Sequence, residues 1–562
     1  MKRLLRYLLP AVLFVTACSK TKTDILPGTR PTDVNLAAST VRLVGGKNYE
    51  LVMNNTDTLT NWLPGNPYGL PVVPVNPTPW FSGTGKYSGE YFLPRQFLDA
   101  NGKATVKLYT LVGGGSSPLP KYVTPIDSFS VQEDYNHPTD YYLAGIKFNH
   151  ATGYFDPTVV PRAVTPANDP TFIRIRIVNL ADPNGVPTNP DWAVSLAFND
   201  GSLVSPVTSG VKDGTWSDYI ELPYGTYGFR VLIDGTPLQA PGPPPLLTTA
   251  SGETDYTIGG GQYYIPTKTF QPGGVYSILV SRVGNYQDNG GSILPINGFV
   301  FITDITAPAN LTYARVQGIN AAEKNGLHLQ IDGADSAIQY SMASGYQTLI
   351  AGSHAVKVTD GTGKVLAQTT LSVKGGDNWS LWVYPTAAGT DSIVTVQNNM
   401  GGLRQNGITG DGSDGSNLVY DPLNYRAIVQ TRFLNLCPDI PYVTFTSANG
   451  TLLPESDFSS ALAARNLQPG RPADPMAVPY PYVDLGLGSY GTIEAYQSQP
   501  NVLPGNPLTG VANVKAADFV RLPAFFYSAD PAGMEPGVYT VALIGRSRAG
   551  EQPKMIVIKH NL

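Results

Sequence analysis

Residues 219–231, YIELPYGTYGFRV, constrain the fold of this chain more than any other stretch, because versions of them recur along the sequence. Residues 346–358 read YQTLIAGSHAVKV, residues 482–495 read YVDLGLGSYGTIEA, and a shorter echo, GKATVKL, occupies 102–108. Each reads as a strand, a glycine-containing turn and a second strand, which predicts a hairpin whose glycines are Gly102, Gly225, Gly352 and Gly488. A chain that repeats its supersecondary units is built from similar modules.

Three further landmarks keep step with that one. An opening strand places an arginine between apolar residues, at Arg42, Arg176, Arg315 and Arg432. Alternation puts each arginine on the face opposite the aliphatics, and the reading is a solvated outer face. A second strand ends in an Asn or Asp-Gly turn, as at Asp332-Gly333 and Asn449-Gly450, where tight chain reversal is expected. A third begins with an aromatic after a turn, as at Tyr276, Trp379 and Tyr539, and reads as core-facing. Proline-rich stretches separate these landmarks. LPGNP occurs at 63–67 and again at 503–507, and such segments belong at edges or on the surface. Residues 455–467 alone read as helical. The expectation is an all-β chain of four tandem immunoglobulin-like β-sandwich modules, at 39–165, 166–308, 309–420 and 421–562, joined by short linkers.

The N-terminus has Lys2, Arg3 and Arg6 before an apolar run that ends Val15-Thr16-Ala17-Cys18. The run has about half the ~20 residues of a spanning helix and reads as a signal peptide over 1–17. Its end resembles the lipobox of bacterial lipoproteins, which implies that Cys18 carries the lipid (palmitate-type acyl chains) and anchors the mature chain through a flexible tether at 18–38. Two or more acyl chains hold a protein in a membrane far better than one. Ser19, in place of an aspartate, implies passage to the outer membrane, on its periplasmic face or at the cell surface.

The strands RIVNL (176–180) and VSLAFNDG (194–201), with the 219–231 stretch, are similar to a family of tandem β-sandwich domains of unknown function found in Bacteroidota-type envelope lipoproteins. Arg176, Asn179, Leu180, Val194, Leu196, Gly201, Leu222, Pro223, Gly225, Tyr227 and Val231 carry the likeness. Arg315, Ile331, Asp332, Gly333, Gly352, Val356 and Val358 carry it in the third module, with Ile350 where Pro223 stands in the second. The fourth keeps Arg432, Asn435 and Gly488, and the first little beyond Arg42 and Gly102. The resemblance implies a fold and an envelope location, and transfers no catalytic residue.

Motifs that suggest chemistry read as scaffold. Residues 486–491 spell GxGxxG, but the next residues alternate as a strand, whereas a dinucleotide site needs a helix N-terminus. Residues 545–549, GRSRA, lack the final glycine and the helix of a nucleophile elbow. The five histidines never fall at metal-ligand spacing, and the acids of 411–417 are not at the alternate positions of a calcium loop, so no metal and no cofactor is expected. Glu133 and Asp134 would point oppositely in a strand, unlike a glycosidase pair. The formal net charge is −5, and loss of Lys2, Arg3 and Arg6 makes it −8, so nucleic acid is not an expected partner. With Cys18 lipidated, Cys437 stands alone among apolar neighbours and reads as buried. Trp62 and Trp80, in the long loop at 61–94, are the candidate carbohydrate-stacking residues, while Trp192, Trp216, Trp379 and Trp382 read as packing.

The expected function is that of a non-enzymatic lipid-anchored outer-membrane protein, a binding or structural (adhesion or scaffold) array. Its partners would be the membrane, through Cys18, and an envelope protein or glycan. The alternative is a glycan-binding accessory lipoprotein of a polysaccharide-uptake system.

Overall fold

The computed structural model describes residues 38–44, 50–53, 57–58, 90–112, 121–149, 154–181, 193–198, 202–233, 268–287, 293–398, 400, 403–407, 419–422, 428–453, 463–471, 483–486, 492–515, 518–519, 537–548 and 550–561. The signal and tether (1–37), Trp62, Trp80, Trp192, Gly488 and the acidic 411–417 stretch lie outside them. The described residues are all-β, in several sheets consistent with β-sandwich packing. Among them only short 3-10 turns at Arg95–Phe97, Pro206–Thr208 and Ala448–Gly450 interrupt the strands. Most of the 455–467 stretch read as helical lies outside the described residues, and Leu467 bridges Val443.

Contacts divide the chain into two compact units, Met1–Tyr135 with Lys147–Asp156, and Asn136–Ile146 with Pro157–Leu562. In the first, Ala38–Val44 pairs antiparallel with Glu90–Pro94. A four-stranded sheet has Asp57–Thr58, Glu50–Met53, Lys103–Val112 and Lys121–Gln132 in that order. Val41, Leu43, Leu93, Val106, Phe129 and Val131 are buried along alternating strand positions, and Phe97 is buried from the 3-10 turn.

The clearest architecture in the second unit spans 309–398. One sheet runs Gln347–Ile350, Tyr313–Asn320, Asn378–Pro385, Asp391–Gln397; the other runs Ala334–Ile338, Leu327–Ile331, Gly352–Thr359, Val365–Val373. Leu327, Leu329 and Ile331 alternate inward and meet Val316, Val356, Val358, Leu381 and Val383 in a common core. The hairpin from Leu327–Ile331 to Ala334–Ile338 reverses at Asp332 (φ 49°) and Gly333 (φ 89°), the backbone that Asp-Gly supplies at least cost. The first unit's four-stranded sheet has the same strand order, although its sequence echoes the repeat least.

The 219–231 motif is not a hairpin, contrary to the sequence reading. Ile220–Pro223 pairs with Phe172–Leu180, whereas Phe229–Ile233 pairs with Val194–Phe198, in a different sheet. The chain crosses from one layer to the other at the motif. The same crossover joins Gln347–Ile350 to Gly352–Thr359, Val483–Gly486 to Thr492–Gln499, and Glu90–Pro94 to Lys103–Val112. Sequence periodicity identifies both strands correctly, but their partners are distant in the chain and leave no local trace. In place of a helix after Gly486 stands the strand Thr492–Gln499, as the sequence requires.

A second rule unites three regions. Each opening strand pairs in parallel with a much later strand: Phe172–Leu180 with Val275–Gln287, Tyr313–Asn320 with Asn378–Pro385, and Ile428–Asn435 with Gly537–Ile544. Tyr276 and Tyr539 face the cores, as expected, and Trp379 packs at the edge of its own. Cys437 is buried beside Phe433 and Phe445, and burial pushes its thiol up to about 11, so it behaves as an apolar group. The strand Val502–Pro507, which carries the second LPGNP, lies at a sheet edge.

Candidate functional site at the buried arginines

The opening-strand arginines are buried, which corrects the expectation of a solvated face. Arg42, Arg176, Arg315 and Arg432 are 0%, 2%, 3% and 1% exposed. Alternation correctly put them opposite the aliphatic core, but that second face is itself covered. An ionised group can be buried only where hydrogen bonds replace its hydration. Arg315 and Arg432 have several such partners. Arg176 donates through Nε, stacks on Tyr219 and leaves its buried Nη2 without a hydrogen-bond partner among the described residues.

The partners follow one pattern. Parallel register sets Arg176 opposite Ser277, Arg315 opposite Asn378, and Arg432 opposite Thr540. In each pair the arginine Nε donates to that residue, at 2.7 Å to Ser277 Oγ, 2.9 Å to Asn378 Oδ1 and 3.1 Å to Thr540 Oγ1. The terminal nitrogens of Arg315 and Arg432 are left to reach the preceding segment. Around Arg176, Ser277 Oγ donates to Asp304 Oδ2 at 2.5 Å, as does the Tyr219 hydroxyl at 2.8 Å. The Arg176 guanidinium lies 4.5 Å from the Tyr219 ring centroid, a cation–π contact. Burial and the Asp304 charge push the Tyr219 phenol well up, so it stays a neutral donor.

Arg315 reaches back into the 166–308 segment. Its Nη1 donates to the Tyr224 carbonyl at 3.3 Å, and its guanidinium sits 4.6 Å from the Tyr346 ring and 5.6 Å from the Tyr224 ring. Gly225 is required here by close approach, because a Cβ at that position would overlap Arg315 Nη1. The glycine read as a turn residue therefore also makes room for the next segment's arginine. Tyr313 packs against the core of 166–308, and Thr269 Oγ1 donates to the Met400 carbonyl at 2.9 Å.

Arg432 lies at a larger contact. Its Nη1 donates to the Gln397 carbonyl at 3.0 Å and its Nη2 to Asn398 Oδ1. Asn398 Nδ2 donates to Ser380 Oγ at 2.7 Å. Gln317 Nε2 donates to His560 Nδ1 at 2.7 Å, and His560 Nε2–H donates to Thr540 Oγ1 at 2.7 Å. An amide N–H can only donate, so His560 Nδ1 accepts and the imidazole is neutral with its proton on Nε2. Burial, then the nearby Arg432 charge, holds His560 well below the ordinary histidine range. Around this polar centre is an apolar one: Ile319, Ala321, Trp382 and Val396 pack against Leu434, Leu436, Ala542, Ile544 and Ile558. Arg546, held by Asp439 at 2.9 Å through both Nε and Nη2, also donates from Nη1 to the Thr386 carbonyl at 2.7 Å.

The other motifs take structural places. Arg546 and Ser547 occupy the connection between Gly537–Ile544 and Lys554–Lys559, and both are bonded to Asp439. His328 pairs with Asp335 at 2.7 Å and His354 with Asp332 at 2.6 Å, each an isolated couple. Among the described residues no group of three or more His, Cys, Asp or Glu is placed to hold a metal. Glu133 lies 3.6 Å from Arg95. Trp382 is buried, Trp379 partly so, and Trp216 is 37% exposed. Sequence reasoning missed Gln317, Asn398 and His560. Gln317 stands opposite Ser380 only once the parallel pairing is known, and Asn398 and His560 lie just past strand ends, where nothing local marks them.

No family model and no curated protein matches this chain. Among solved structures, the Bacillus anthracis TIE protein aligns over 61% of this chain and 50% of its own length, at 13% identity and a TM-score of 0.11. This chain thus spans about half of that structure, and so low a score carries no argument about fold or function.

Proposed function

We propose that the protein is a non-enzymatic, lipid-anchored outer-membrane protein. Four tandem immunoglobulin-like β-sandwich modules would hold a recognition surface away from the membrane as a structural or binding array. The reading rests on one observation. Beyond the Nε bond that each makes within its own segment, Arg315 and Arg432 donate to the preceding segment, so these two buried arginines serve in joining segments. A chain joined in this way suits a mechanical role, in which stiffness between anchor and tip is what matters. Kinship to the tandem domain family of Bacteroidota-type envelope lipoproteins, proposed on the motif residues above, fits the same role. The glycan-binding alternative rests on Trp62 and Trp80, which lie outside the described residues.

Mass spectrometry of the N-terminal peptide tests the anchor: Cys18 acylated and 1–17 removed is expected, with Cys18→Ala leaving the protein in the soluble fraction. An unmodified Cys18 in a membrane-extracted sample would sink the anchor. Protease treatment of intact cells then distinguishes surface display from the periplasmic face.

A further inference from the structure

The strands that follow the crossover pair stand at sheet edges, and two of them, in the first and last repeats, are unsuited to further pairing. Lys121–Gln132 contains Pro125, and its register slips twice against its neighbour, near Tyr109. Val502–Pro507 contains Pro504 and Pro507, and register shifts again between Gln497 and Gln499. Prolines, bulges and brevity are the devices by which edge strands avoid pairing with other chains.

Val365–Val373 has neither proline nor brevity, and its one register shift falls at its first residues, where Thr359 pairs with Val365 and Leu366 is passed over. It runs nine residues, VLAQTTLSV, without proline or charge, rich in β-branched residues, and in continuous register from Gly352↔Val373 to Val358↔Ala367. It is the terminal strand of its sheet, so its outward N–H and C=O groups take no strand partner among the described residues. At the same corner Asp391–Gln397 belongs to the facing sheet and gives it no hydrogen bond among those described. Gln368, Thr370 and Ser372 are exposed and Val365 is 46% exposed, while Leu371 and Val373 anchor the strand in the core.

The flanks say what can pair there. Lys364 and Lys374 bracket the strand; neither makes a salt bridge among the described residues, although the Lys364 charge acts on Asp360. The nearby Asp360 and Asp377 carboxylates accept hydrogen bonds from backbone N–H groups of the two turns and from the Thr362, Trp379 and Gln397 side chains. A second copy paired antiparallel about Thr369 would set Lys364 against Lys374 at both ends, since 364 and 374 are equidistant from 369. Like charges directly opposed across strands are destabilising. A strand with a carboxylate near each end would instead meet a lysine at each end.

We propose that Val365–Val373 is a docking edge for an extended, uncharged polypeptide strand flanked by acidic residues, taken up by β-strand addition. Main-chain hydrogen bonds would supply the affinity, and the two lysines would set register and exclude self-pairing. The proposal stands apart from the lipid-anchor reading, and its test does not depend on the membrane.

The test uses the full mature chain and synthetic peptides of matching length built from Thr, Val and Ser, with either aspartate or lysine at both ends. Hydrogen–deuterium exchange read by mass spectrometry is expected to show protection of the 365–373 amides with the aspartate-flanked peptide only. The paired variant Lys364→Glu with Lys374→Glu, at turn positions outside the core, should reverse that preference. Gln368→Lys with Thr370→Lys, both at exposed positions, should weaken protection at least tenfold. Protection that ignores the charge reversal, or none with either peptide, would overturn the proposal. So would sedimentation showing self-association through this strand in the absence of peptide.

Discussion

The two contacts that the 309–420 segment makes with its neighbours are built differently. Toward 421–562 it presents a whole sheet face, with Trp382 and Ile319 in an apolar cluster around the Arg432–Asn398–Ser380–Gln317–His560 network. Toward 166–308 it presents a strand end, pinned by Arg315 on Tyr224 and by Tyr313 against the neighbouring core. The first resembles a domain interior, where buried area supplies the stability and buried polar groups must all be satisfied. The second is a peg in a fitted slot, where one side chain and one missing Cβ decide the contact. The same repeated arginine serves both, and what surrounds it determines whether it is one member of a network or the principal fastener.

Four measurements would break or sharpen that contrast. The largest effect is expected from Trp382→Ala, which empties the apolar cluster and should cost about 3–5 kcal/mol in denaturant unfolding, the usual range for a buried large aromatic. A loss below about 1 kcal/mol would show the sheet-face contact to be incidental. Arg432→Ala removes the donor to Gln397, Asn398 and Thr540 together and is expected to cost roughly 3 kcal/mol, since buried acceptors lose their partners. Arg432→Lys should recover little of it, because an ammonium cannot reproduce the fork.

Gly225→Ala addresses the other contact. It should displace Arg315 and cost about 1–3 kcal/mol, as small-to-large changes in packed sites do. The loss should appear as faster proteolysis between the 166–308 and 309–420 segments, with the Trp382 environment unchanged by fluorescence. A coupled change at Trp382 would mean the two contacts are not separable.

The smallest effect per step is that of pH. His560 is neutral in the fold and its folded pKa lies below the unfolded value of 6.5. The unfolded chain therefore binds the proton first, and stability falls as pH drops below about 6.5, until the folded pKa is reached. The slope attributable to His560 is about 1.4 kcal/mol per pH unit. His560→Gln, with an amide in place of the imidazole, should flatten that segment of the pH–stability curve. If the slope survives the substitution, another group is responsible.

Much of the fold was legible because it is written in local periodicity. The alternation in LHLQI and the Asp332-Gly333 turn located one hairpin correctly, and Tyr276 and Tyr539 were read as core residues. Cys437 was recognisable from its apolar neighbours. The crossover at 219–231 is not legible in the sequence, because a strand–turn–strand pattern is the same whether the two strands pair with each other or enter opposite layers. The arginines were misread for a related reason: period-two alternation says which face a side chain takes, and nothing about what covers that face.

By itself the sequence determined that this chain is all-β, that one unit recurs along it, and where its strands begin to face inward. Those properties depend on residues within a few positions of each other. Only the tertiary structure decided that three opening strands lie parallel to strands some 60 to 110 positions away, and that Arg315 and Arg432 reach into the preceding segment. Burial of a charge is a property of the completed packing, because the partners that replace its water come from chain segments that meet only in the fold.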